Sequence, residues 1–187
     1  MKFLRMEKIL EGKFITRYDV TYETEAGGTK VYEMVSRDRD LTTQAQLYGK
    51  DTDAAIMFLT DPAGEHLLLL REFRMATGQA IFNMPAGLLD PGEDLMTGAA
   101  RELREETGLE LCRIDAVLPA GYSAIGFSNE KNSLILGCAQ GEIQPSTSAE
   151  EEIQAGWYTK QQVLDLIQTQ PFESRTQLFA FLWAKQI

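Results

Sequence analysis

The sequence predicts a layered α/β (α+β) sandwich on a mixed sheet, preceded by a small N-terminal antiparallel β region, and three observations predict it. Apolar runs of strand length alternate irregularly with helix-period segments, without the βαβα rhythm of a doubly wound sheet. The first 50 residues carry strand-like alternation. The 187 residues, 44% hydrophobic and 25% charged, have the size and composition of a globule with its own core. The expected organisation is an N-terminal β region over residues 1–50 and a second domain over 51–187.

In chain order, Lys13 to Thr24 and Thr29 to Ser36 alternate Val, Tyr, Ile and Thr, and Glu25-Ala26-Gly27-Gly28 between them supplies the positive φ of a tight hairpin turn. Gln44 to Asp53 is polar and reads as a linker. Ala54 to Thr60 and Leu67 to Phe73 read as adjacent apolar strands across a Pro-Gly turn, and Ile81 to Met84 as a further strand. Asp94 to Thr107 reads as a helix, with Asp94 as N-cap and Gly108 just past its end. Asp115 to Leu118, Ser133 to Ala139 and Ala155 to Tyr158 follow as strands, then helices near Thr159 to Thr169 and Glu173 to Lys185.

Composition narrows the chemistry. With 18 Lys and Arg against 28 Asp and Glu, the chain carries a net charge of −10, which argues against a nucleic-acid duplex as partner, because that affinity rests on neutralising phosphates. A nucleotide substrate would be small, and an acidic chain handling phosphates needs a bridging cation. One histidine, His66, follows a turn-like Asp-Pro-Ala-Gly and opens a leucine run, a structural position; a Ser-His-Asp triad or a zinc centre would have to be built on it alone. No apolar run approaches the roughly 20 residues of a membrane span, and Met1 to Phe14 lacks a signal-peptide core, so no membrane partner and a cytoplasmic location are expected. Cys112 and Cys138, without CxxC spacing, read as reduced, buried thiols.

The helix at 94–107 carries the most information. With Glu102 at zero on a wheel of about 100° per residue, Glu106 falls near 40° and Glu105 near 300°, while Ala99, Leu103, Met96, Thr107 and Ala100 cluster between about 60° and 160°. One face goes to the core and the next presents three carboxylates. Like charges at i, i+3 and i+4 repel, and acids near a helix C-terminus oppose its dipole. Either Arg101 and Arg104 screen a solvated acidic face, or the carboxylates hold a divalent ion, Mg²⁺ or Mn²⁺, for which such oxygens are the preferred ligands.

The flanking sequence decides between them. Gly87, five residues, Glu93, seven residues, then Arg101-Glu102-Leu103-Arg104-Glu105-Glu106-Thr107-Gly108-Leu109 matches every position of the Nudix box, and the chain resembles a Nudix hydrolase. That resemblance implies an α/β/α sandwich whose loop-helix-loop binds Mg²⁺ or Mn²⁺ and cleaves a nucleoside diphosphate linked to another moiety. It implies Glu102, Glu105 and Glu106 as catalytic metal ligands, joined by the backbone carbonyl of Ala86, with Glu93 and Arg101 orienting them by charge-assisted hydrogen bonds.

Similarity extends beyond the box. Arg71-Glu72-Phe73-Arg74, Met84-Pro85-Ala86-Gly87-Leu88-Leu89, Gly126-Phe127-Ser128-Asn129-Glu130 and the acidic run before Trp157 resemble the ADP-ribose and ADP-sugar pyrophosphatases. This branch implies ADP-ribose or an ADP-sugar as substrate, with GDP-mannose-type sugars, dinucleotides or a non-catalytic nucleotide-sugar sensor as alternatives. It implies a homodimer in which N-terminal strands pair or swap and help build the substrate cleft. It places Arg74 and Glu130 at the substrate, and Glu151, or its neighbours Glu150 and Glu152, as the loop base. Two departures bear on substrate: Ala124-Ile125-Gly126 stands where many relatives have Ser-Pro-Gly, and Asn83 where many have an acid. Phe14, Tyr18, Tyr32, Phe82 and Tyr122 are the aromatic candidates for stacking on a base.

Overall fold

The computed structural model describes all 187 residues, which form two compact units: Met1–Asp53 with Ala120–Asn132, and Ala54–Pro119 with Ser133–Ile187.

In the first unit β1 (Lys2–Glu11), β2 (Thr16–Glu23) and β3 (Thr29–Ser36) form an antiparallel sheet in that order. The β2–β3 turn is closed at Thr24 and Gly28, and Gly27 adopts φ 78°, where a side chain would be strained. The polar stretch expected to be a linker contains a short helix, α1 (Gln44–Tyr48), started by a capping box of Thr43 and Gln46. Tyr18, Val20, Met34 and Leu41 make the core of this unit. β1 is exposed along most of its length, and Leu10 and Phe14 are 67% and 68% exposed.

The second unit is organised by strand period. Its seven-stranded sheet runs β10 (Ile153–Thr159), β5 (His66–Arg74), β4 (Ala54–Thr60), β9 (Lys131–Gln140), β8 (Glu110–Tyr122), with β6 (Gln79–Asn83) on β5 and β7 (Ala86–Leu88) on β4. Alternate residues of β4 face opposite ways: Ala55, Met57 and Leu59 pack with Ala99 and Leu103 of α2 (Leu95–Thr107), while Ile56 and Phe58 pack towards Phe179. On β5, Leu68 joins the α2 side, and Leu67 and Leu69 meet Val163 of α3 (Lys160–Thr169) and Ala180 and Ala184 of α4 (Ser174–Lys185). Both faces of the sheet are therefore covered by helices, the α/β/α layering expected from the resemblance. Each of these fully buried leucines contributes roughly 1.5–3 kcal/mol.

The cysteine expectation is corrected. Cys112 on β8 and Cys138 on β9 form a disulfide with their Cα atoms 5.6 Å apart. Spacing along the chain could not show this, because the two strands are neighbours in the sheet and their register sets the cysteines side by side.

Candidate metal and substrate site

The carboxylate helix α2 is fixed at both ends by its own sequence. Asp94 caps it by accepting from the Met96 and Thr97 amides at 3.0 and 3.1 Å, and Gly108 ends it in the left-handed region at φ 75°. Ala99 and Leu103 are fully buried, which sets the rotation that turns Glu102 and Glu106 towards Ala86 and Gly87 of β7. Gly87 has to be glycine, since a Cβ there would overlap the Glu102 carboxylate.

Three glutamates on adjoining turns have three different surroundings. Glu106 is 7% exposed and accepts from the Ala86 amide at 3.1 Å. Burial, together with the charges of Glu102, Glu72 and Glu151, pushes its pKa well above the usual carboxylate value. Glu102 is partly buried and accepts from Arg101 at 2.8 Å; burial raises its pKa while Arg101 opposes the rise. Glu105 is more exposed and receives a 3.3 Å contact from the same guanidinium.

Arg101 is the hub of the box. Its Nε and Nη2 donate to the two Glu93 carboxylate oxygens at 3.0 and 2.9 Å, Nη2 also donates to the Leu88 carbonyl at 3.0 Å, and Nη1 serves Glu102. Glu93 in addition accepts from the Asp90 amide, and the Arg101 hydrogen bonds hold its pKa down at about 2. This bidentate pair ties the loop before α2 to the helix itself.

The loop after β9 is tied to the end of α2, where the Gln144 amide donates to the Thr107 carbonyl and the Thr147 amide to the Glu105 carbonyl, at 2.8 and 2.9 Å. Farther along, the Phe73 amide donates to the Glu152 carbonyl at 3.1 Å, which fixes the acidic run against the end of β5. In this run the Glu151 charge acts on both Glu102 and Glu106. Arg74, at the end of β5, donates through Nη1 to Glu72 at 2.5 Å. Glu130 lies in the first unit, where it pairs with Arg37 at 2.7 Å and accepts from Ser123 at 3.0 Å. Among the aromatic candidates, Tyr18 and Phe82 are core residues at 0% and 4% exposure, which leaves Phe14, Tyr32 and Tyr122 accessible.

As placed, no three acidic groups converge at coordinating distance. The donor set nevertheless suits a hard cation. It consists of carboxylate oxygens; the group that Ala86 turns towards Glu106 is its amide, and the buried Glu106 carboxylate has no guanidinium or ammonium partner to balance it. A cation here would offset the burial and the repulsion that together raise Glu106.

One acidic residue of the site was not singled out by sequence reasoning. Glu72 is 5% exposed and its charge also acts on Glu106. The signal was present: Glu72 is two residues beyond Leu70 on the same side of a buried strand, so a charge faces inward.

Comparison with known proteins follows the same lines. A family model described as NUDIX domain matches residues 50–179. The ADP-ribose pyrophosphatase of Saccharomyces cerevisiae is 38% identical over 80 residues, covering 43% of this chain and 34% of the yeast protein, so the chain spans well under half of that relative's length. The ADP compounds hydrolase NudE of Escherichia coli is 22% identical over 183 residues, covering 98% of this chain and 90% of that one. A crystal structure of an ADP compounds hydrolase superposes with a TM-score of 0.72 at 21% identity, covering 100% of this chain and 94% of the other, and shows the shared fold. No helix is long and apolar enough to cross a membrane.

Proposed function

The chain belongs to the Nudix family, and from that premise we propose that it hydrolyses the pyrophosphate bond of a small nucleoside diphosphate derivative with Mg²⁺ or Mn²⁺. The substrate we favour is ADP-ribose or an ADP-sugar, giving AMP and a sugar phosphate, in keeping with the named activities of the yeast and E. coli relatives. The observation that carries the reading is the buried, under-compensated Glu106 carboxylate beside Glu102 in a box that keeps every acid.

Glu102, Glu105 and Glu106, with the Ala86 carbonyl, would hold the metal, which when bound supplies charge neutralisation of the diphosphate and activation of a water. Glu93 clamps Arg101, and Arg101 keeps Glu102 at its post. Glu151 is the group proposed to take the proton from the attacking water, because its charge acts on both Glu102 and Glu106. Arg74 is proposed to meet the substrate phosphates from the end of β5, where a guanidinium can bind two oxygens at once. Glu130 is proposed to act at the substrate through its own unit, held by Arg37.

The N-terminal unit, residues 1–50 in sequence terms, is proposed to pair with a second copy in a homodimer and to help form the substrate cleft. Exposed Leu10, Phe14 and Ile15 beside β1 support that reading. A cytoplasmic location is proposed alongside it.

The test is release of mononucleotide product by the pure chain, with and without Mg²⁺, from ADP-ribose, ADP-glucose, GDP-mannose, NADH and diadenosine polyphosphates. Metal-dependent cleavage fastest on the ADP-sugars is expected. Tight binding of ADP-ribose without cleavage would identify a sensor, and preference for GDP-mannose or a dinucleotide would move the substrate assignment.

A further inference from the structure

A buried acid that nothing above uses stands between the candidate metal ligands and the candidate substrate arginine. Glu72 lies opposite Ile81 of β6 and Ile153 of β10 in register, 5% exposed. Its Oε1 accepts from Arg74 Nη1 at 2.5 Å and its Oε2 from Asn83 Nδ2 at 2.6 Å. Burying a carboxylate is unfavourable unless it is paired, and placing it near Glu106 adds repulsion. An apolar residue would fill this inward position on β5 at lower cost, so the pairing itself is the feature to explain.

The geometry accounts for it. Residues 72 and 74 point to the same side of the strand, one in the interior and the other at the rim, and the Arg74 side chain is 52% exposed. Only Nη1 of Arg74 is engaged by Glu72, which leaves Nε and Nη2 for a phosphate. Asn83 suits this carboxylate: an acid at position 83 would face Glu72 at hydrogen-bond distance, whereas the amide donates to it.

We propose that Glu72 is a positioning residue that holds Arg74 aimed at the substrate diphosphate, with Asn83 fixing Glu72 in turn. The proposal deepens the reading of this site as a pyrophosphohydrolase and rests on Arg74 being its substrate arginine.

The test is steady-state kinetics on the full chain with Mg²⁺ and ADP-ribose, or whichever nucleotide of the panel it cleaves best. Arg74→Ala and Glu72→Ala should each raise KM about tenfold with kcat within about threefold, as expected when binding common to ground and transition states is lost. The double variant should be no worse than Arg74→Ala, because Glu72 acts only through Arg74. Asn83→Asp, which sets two acids against each other without changing size, should also raise KM. Adding Glu72→Gln exchanges acid and amide and should bring KM back to within about threefold of the unmodified chain.

Lower melting temperatures with an unmoved KM in all variants would show a merely structural pair and overturn the proposal. So would Glu72→Ala and Arg74→Ala effects that multiply in full, or a fall in kcat at constant KM. Should Glu72→Ala not fold, the Asn83→Asp defect and its rescue decide the question. An unchanged KM in Arg74→Ala removes the substrate role of Arg74 and this proposal with it while leaving the hydrolase reading in place; a chain inert to every nucleotide removes both.

Discussion

Gly87 and Glu102 occupy one another's space: a Cβ on Gly87 would fall on the carboxylate carbon of Glu102, so the strand glycine sets where the helix carboxylate sits. The relationship crosses from β7 to α2 and gives a sharp prediction. Gly87→Ala should displace Glu102 and cut kcat by at least about tenfold, because misplacing a metal-ligating group by about 1 Å costs on that order or more. Circular dichroism should still show a folded chain; unaltered turnover in the variant would mean that Glu102 has no need of its place.

At Glu106 charge burial and the proposed metal-binding role oppose each other. Glu106→Gln should lower kcat by orders of magnitude with the fold intact. It should also stabilise the metal-free protein at pH 7. The folded-state pKa of Glu106 is raised, so the folded state loses stability as pH rises from the ordinary carboxylate value through the raised one, and a neutral isostere escapes that loss. Thermal melts with and without Mg²⁺ check this: the unmodified chain should gain more from Mg²⁺ than the variant does.

The Glu93–Arg101 pair has the opposite sign. The Glu93 pKa is depressed to about 2 by its Arg101 hydrogen bonds, so the stability it contributes is fully present above its ordinary value of 4.5 and is lost as pH falls towards 2. Glu93→Gln should therefore flatten the acid limb of the stability curve between those values, with the largest difference from the unmodified chain at neutral pH. Urea midpoints across that range measure it, and parallel curves for the two proteins would show that Arg101 does not hold Glu93 in its charged form.

Among the loop acids, Glu151→Gln should reduce kcat by about a hundredfold or more, the usual scale for a general base, while Glu150→Gln and Glu152→Gln should change it by less than about threefold. The Glu151 charge acts on both Glu102 and Glu106. Equal losses in all three variants would point to a diffuse negative loop and not to one base.

Much of the second unit was legible in the chain. The helix from Asp94 to Gly108 could be read with its cap, its end and its acidic face, and the strands at Ala54 and Leu67 with their apolar period. The strand at Asp115 to Leu118 is far longer in the fold, at Glu110–Tyr122, because edge pairing carries polar and glycine-containing stretches that have little strand preference of their own. β1 was not delimited for a related reason: nearly all of it is exposed, so it lacks the inward-outward alternation by which strands are recognised. α1 was hidden by its brevity, five residues held by a capping box.

The amino-acid sequence alone determined the helix that carries Glu102, Glu105 and Glu106, the glycines that bound it and the family it belongs to, since all of these lie within 23 consecutive residues and obey a local period. Only the tertiary structure decided that Glu72 stands inside the site with Arg74 and Asn83 on its two oxygens, that Cys112 meets Cys138, and that Glu130 is held by Arg37. Each of these depends on strand register or on a loop crossing many residues of chain. One residue of slip would turn every side chain to the other face, and no local spacing encodes which register the packed core selects.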